Sequence, residues 1–138
     1  MTAGGFPHTA MVMAAARLNV PSIVLHGGVT ESGKYKGKTI KLEEMWEAVG
    51  AFKAGKISEE ELRGQEDNAF PGFGGGAGCY TGNTMGMLTE AMGMSLPHTS
   101  TLTAGTPFQL RAAKETGMQI MQLIESEITP ARIITRDA

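Results

Sequence analysis

Five of the seven residues from Gly72 to Gly78 are glycine, and the run sits directly behind Pro71. No helix or regular strand survives such a stretch, because glycine loses the most backbone entropy on ordering and proline brings no N–H. The chain has to turn here, and what lies on either side must be built from separate short elements. After the run, a helical pattern extends from about Asn83 to Met92, with Gly93 as its stop.

The other elements can be read the same way. Pro7 suits a helical first turn, Ala10 to Leu18 is rich in Ala and Met, and Asn19 can supply the left-handed stop. Pro21 to His26 is short, apolar and β-branched and ends at Gly27-Gly28, which predicts a buried strand. Helix, tight turn, buried strand is the cadence of an α/β layer with parallel strands. Residues 27–41, with Lys34, Lys36, Lys38 and Lys41, read as a solvent-facing loop. Leu42, Met45, Trp46, Val49 and Phe52 recur at helical spacing up to a stop at Gly55. Ser58 and Glu61 form a capping box for a helix to about Ala69, with Glu59, Glu60 and Glu61 as a solvated cap. Thr106-Pro107 opens a helix to about Ser126 that should bury Leu110, Ala113, Met121 and Ile124, weakened by ~1 kcal/mol at Gly117. Thr129-Pro130 opens one more segment, and Thr135 to Ala138 reads as the start of a further helix. That last pattern marks the 138 residues as a single domain cut from something longer.

With 41% hydrophobic residues, 19% charged residues and a net charge of −2, the composition is globular and offers no reason to expect nucleic acid or an anionic membrane as partner. The N-terminal residues lack the basic and apolar regions of a secretory signal, and no stretch approaches the ~20 apolar residues of a membrane span. A soluble, cytoplasmic protein is the expectation. The single cysteine, Cys79, rules out an intrachain disulfide and any site that needs two thiolates from this chain.

Chemistry is narrowed by the glycine run. No lysine follows it in the place a nucleotide P-loop requires. Gly72-x-Gly74-x-x-Ala77 imitates a dinucleotide fingerprint, but it follows a helix rather than a strand. What remains is a glycine-rich turn feeding a helix N-terminus at Thr81-Gly82-Asn83, able to hold an anion or a cofactor edge, or to be only a tight turn. The candidate cofactor-binding residues are Gly74, Gly75, Gly76, Gly78, Cys79, Thr81 and Asn83, with Gly27, Gly28 and Thr30 as a second group. His8, His26 and His98 have no metal-ligand spacing and read as structural, and Met85, Met87, Met92 and Met94 read as core filler.

Pro7 through Ala14-Ala15-Ala16-Arg17 to Gly27-Gly28, Glu66 to Gly72, Tyr80-Thr81-Gly82-Asn83-Thr84-Met85 and Pro130 to Ala138 together resemble the dihydroxy-acid dehydratases and the related phosphogluconate and sugar-acid dehydratases. The resemblance implies part of an N-terminal α/β/α domain, hence a helix-rich α/β fold: a partial α/β/α sandwich with few, mainly parallel strands. It also implies a hydro-lyase that converts 2,3-dihydroxy acids to 2-keto acids, as in branched-chain amino-acid synthesis, with an iron–sulfur cluster and a magnesium ion. In the family a Cys-Asp-Lys triplet supplies cluster and metal ligands, and the matching positions here are Thr2, Ala3 and Gly4. Two further family cysteines match Phe70 and Gly76, and Cys79 lies three residues beyond the latter. The expectation is a fragment or degenerate relative that binds neither cofactor, has no catalytic residues and no metal ligands of its own, and is inactive alone. Its substrate class would be a sugar acid or dihydroxy acid; a homo-oligomer, or a non-catalytic subunit docked on a partner chain, is the alternative.

Overall fold

The structure, a computed structural model, describes residues 1–136. Six helices and one two-stranded ladder follow in the order α1 (Gly5–Leu18), β1 (Gly33–Tyr35), β2 (Lys38–Ile40), α2 (Leu42–Lys53), α3 (Glu59–Ala69), α4 (Thr81–Ala91), α5 (Pro107–Glu125) and α6 (Pro130–Ile133). This is the expected helix-rich α/β class.

Several boundaries follow from local chemistry. Asn19 stops α1 in the left-handed conformation (φ 50°, ψ 40°), and its side-chain Oδ1 accepts the Ala131 N–H at 3.0 Å, tying α6 to α1. The Ser58 hydroxyl accepts the Glu61 N–H at 3.1 Å, and the Thr106 hydroxyl caps α5 ahead of Pro107. Glu61 does not complete the expected capping box. Its carboxylate is drawn to Lys36 on the neighbouring hairpin, which holds the carboxyl below its usual range.

Three further expectations are corrected. First, Pro21 to His26 is not a strand. Val24, Leu25 and His26 are buried, but the segment pairs one residue at a time, through the parallel bridge Thr2↔His26 and a bond from Val24 N–H to the Met94 carbonyl, and a second parallel bridge, Val29↔Thr103, follows just beyond it. Among the described residues parallel pairing is confined to those two bridges; the ladder β1–β2 is antiparallel. Second, residues 33–40 are a hairpin rather than a solvated loop. Lys36 (φ 47°) and Gly37 (φ 78°) form the turn, in the backbone region that matches the twist of paired strands. Ile40 joins Met45 and Ala69 in a core against which Tyr35 and Leu62 pack. Each strand carries one exposed lysine, Lys34 and Lys38, on opposite faces of the ladder; Lys36 lies in the turn and Lys41 beyond β2. Third, α5 leaves Leu110 64%, Met121 54% and Ile124 50% exposed and buries Gln109 and Ala112 instead. No other helix or strand lies alongside it among the described residues. Ile134 to Arg136 are not helical, and the rest of the expected further helix, Asp137 and Ala138, lies outside the described residues.

Helices α1 and α4 pack on one another, as do α2, α3 and the hairpin. Of the four methionines read as core filler, only Met94 is fully buried. Gly33 pins the hairpin to α3: a Cβ there would stand 1.8 Å from the Asn68 carbonyl oxygen. Gly33→Ala is therefore expected to destabilise the fold by ~2 kcal/mol or more. Gly50→Ala, in open space on α2, should be neutral or stabilising by up to ~1 kcal/mol. Urea titrations of both variants check the contrast.

Candidate functional site

Three segments far apart in the sequence meet at one place. Thr2 donates its N–H to the Leu25 carbonyl (3.0 Å) and accepts from the Gly27 N–H (2.6 Å), which lays the N-terminal residues along His26. The glycine loop closes over the other side, with Gly75 N–H on the Gly28 carbonyl at 2.7 Å and Thr30 N–H on the Gly76 carbonyl at 3.0 Å. The Thr30 hydroxyl accepts the Gly76 N–H at 3.0 Å. Gly74, Gly75, Gly76, Gly78 and Asn83 thus come together with Gly27, Gly28 and Thr30, and with Thr2, Ala3 and Gly4.

Asn83, in the first turn of α4 and buried, holds this junction. Its carboxamide N–H groups donate to the Gly76 carbonyl (2.8 Å) and the Gly78 carbonyl (2.7 Å). Its Oδ1 accepts from His26 Nε2 at 3.0 Å, so His26 carries its proton on Nε2. The loop approaches so closely that a Cβ on Gly75 would stand 2.8 Å from Asn83 Oδ1 and 2.9 Å from the His26 ring. The N–H groups of Gly75 and Gly76 point inward. Close loop packing already uses them, on the Gly28 carbonyl and the Thr30 hydroxyl.

Below the loop, His8 on α1 and His26 are both fully buried with ring centroids 5.4 Å apart. Sequence spacing gave no hint of this pair, since 18 residues separate the two. Both nitrogens of His8, Nδ1 of His26 and the Thr2 hydroxyl lack hydrogen-bond partners. Burial, reinforced by the neighbouring His26, pushes the His8 imidazole below its ordinary value, against a weaker opposing effect of the Thr2 backbone.

The rest of the site is peripheral. Cys79 is exposed, and Thr81 packs against Gly5. A pocket of about 260 Å³ opens beside Cys79, lined by Gly78, Asn83, Met87, Ser100 and Thr101. Its far wall is fastened by Glu90, which sequence reasoning missed because its partners lie eight to ten residues away in a loop. The Glu90 carboxylate accepts the N–H groups of His98 (2.7 Å), Thr99 (3.2 Å) and Ser100 (2.8 Å). Partial burial would raise its carboxyl, but these bonds and one from the Ser100 hydroxyl outweigh it and hold the group below its usual range. His98 itself is exposed. Among the described residues, no three His, Cys, Asp or Glu side chains gather where they could hold a metal ion.

Residues 7–138 match the family model described as "Dihydroxy-acid/6-phosphogluconate dehydratase N-terminal". The chain belongs to that family. Similar relatives include the dihydroxy-acid dehydratases of Sulfurisphaera tokodaii (48% identical), Pyrococcus abyssi (49%) and Moorella thermoacetica (48%). Each similarity covers 93% of this chain, and the chain spans 23% of each relative's length.

Two outcomes test the junction. Asn83→Ala removes three bonds and strands buried carbonyls and a buried ring N–H, and should cost about 2–4 kcal/mol in urea unfolding. His8 is neutral in the fold and gains a proton more readily when unfolded. Stability is thus fully present above the unfolded value of about 6.5 and falls as pH drops through it toward the lowered folded value. Urea midpoints measured from about pH 7.5 down to about pH 5 should fall, and His8→Phe should flatten that slope.

Proposed function

We propose that this chain is a dehydratase scaffold without its metallocofactor: part or a degenerate relative of a hydro-lyase acting on 2,3-dihydroxy acids, and inactive by itself. The observation that carries the reading is the backbone at two positions matched to cofactor ligands. Gly4 (φ 88°) and Gly76 (φ 106°) both occupy the left-handed region that residues with a side chain rarely adopt. Open space surrounds Gly76, so its backbone, more than crowding, disfavours a cysteine there. Thr2, Ala3 and Phe70 offer no thiolate or carboxylate at the other matched positions.

The donor set does not fit an iron–sulfur cluster, whose ligation in such enzymes rests on thiolates, because only Cys79 can supply one. Nor does it fit a magnesium site, since the matched acid and lysine positions are Ala3 and Gly4. What remains is the pocket beside Cys79, of a size for a small sugar acid or dihydroxy acid, with Ser100, Thr101 and Asn83 as polar lining. No helix among the described residues is long and apolar enough to cross a membrane. A lone exposed thiol suits the reducing cytoplasm. A second reading, a docking subunit completed by a partner chain, is favoured by exposed apolar side chains such as Phe6 (94%), Phe73 (70%) and Phe108 (64%).

Anaerobic reconstitution with iron and sulfide, followed by an absorption spectrum and an assay of 2,3-dihydroxy acid dehydration with added magnesium, tests the main reading. Neither a cluster band nor turnover is expected. A stable band accompanied by turnover would overturn it.

A further inference from the structure

A cavity of about 360 Å³ lies where the hairpin, α2 and α3 meet, and it shares no residue with the pocket beside Cys79. Its shape follows from the sequence of α2. Glu44, Glu47, Ala48 and Ala51 fall at helical spacing on one face, and the two alanines stop at Cβ where larger side chains would close the groove. Ile40 on β2 and Ile57 ahead of α3 complete an apolar floor. Lys38 lies two residues before Ile40 on the same strand, so it stands on the same face of the ladder, at the rim above that floor.

The rim carries charges of both signs, and three of them are engaged. Lys36 pairs with Glu61, and the Glu44 carboxylate accepts the Lys41 N–H at 2.9 Å. Lys38 and Glu47 are exposed and have no ion-pair partner among the described residues. We propose that this cavity binds an aliphatic α-amino acid. The ligand's side chain rests on Ile40, Ala48, Ala51 and Ile57, its carboxylate meets Lys38 and its ammonium meets Glu47. Charge selects this class: a ligand with a carboxylate alone leaves Glu47 unmatched, and one with an amine alone leaves Lys38 unmatched. The volume, at the small end of ligand pockets, suits a molecule of leucine's size. Both rim groups stay in water, where single ion pairs are worth little, so affinity rests on the buried side chain as well as on charge.

Calorimetric titration of the 138-residue chain at about pH 7 and low salt, with leucine up to about 20 mM, should give saturable binding with a Kd of about 1 mM or tighter. Glycine, which has no apolar part, should not bind in that range. Isocaproate and isoamylamine, which are leucine without its ammonium and without its carboxylate, should each bind at least ~3-fold more weakly than leucine. Glu47→Gln should abolish the preference for leucine over isocaproate, and Lys38→Met the preference for leucine over isoamylamine. Ala51→Phe fills the floor and should abolish binding while circular dichroism reports an intact fold. The two rim substitutions fall on exposed residues and spare the fold, so the analogue preferences decide the proposal even where Ala51→Phe is destabilising. Absence of leucine binding overturns it. So does equal binding of leucine and its two analogues, or leucine binding that survives in a folded Ala51→Phe variant.

Discussion

The carboxamide of Asn83 is the contact on which the centre of this molecule depends. One side chain at the start of a helix binds two carbonyls of the glycine loop and one ring nitrogen of the chain segment beneath it. Between them the loop and the His26 ring leave little room: a Cβ on Gly75 would stand 2.8 Å from Asn83 Oδ1 and 2.9 Å from that ring. The loop can come this close because glycines line it, and it stays because the carboxamide satisfies the polar groups that closeness would strand. A buried polar network of this kind is strong when complete and costly when one member is lost.

The need for such a network follows from what the chain buries. The largest fully buried side chains are Met94, His8, His26, Thr89 and Pro130, and only one of them is a long apolar group. Ile40, Met45 and Ala69 form a second, smaller apolar core under the hairpin, with Tyr35 and Leu62 against it. Stability is thus divided between a hydrophobic cluster at one end and a hydrogen-bonded glycine junction at the other. The junction is also where the family resemblance locates cofactor ligands. Here it is filled by backbone packed against backbone, leaving a modest pocket beside Cys79 as the open space. The outer face of α5 carries apolar residues that neither core absorbs.

Much of this was legible in the chain, to the extent that its causes are local. The caps at Ser58 and Thr106 and the stop at Asn19 act within a few residues, so composition and spacing reveal them. The turn at residues 72–78 is equally forced, because glycine and proline leave no alternative. The resemblance pointed to the same loops that the structure joins. Less legible was whatever depends on a distant neighbour. Glu61 has the spacing of a capping box, yet Lys36 on the hairpin takes its carboxylate. The lysines of residues 34–41 looked like a solvated loop because each three-residue strand carries only one of them, too short a stretch to show a strand's alternation.

By itself the sequence determined where the chain turns, which segments become helices and which family it belongs to, since those depend on backbone propensity and on ordered motifs. Tertiary structure alone decided that Pro21 to His26 is buried without becoming a strand, because pairing requires neighbours along its whole length and only single bridges are available. It also decided that His8 meets His26 and that the inward N–H groups of Gly75 and Gly76 are already bonded. The apolar period of α5 was readable from the residues, but burial is a property of what lies opposite, and among the described residues no helix or strand lies alongside α5.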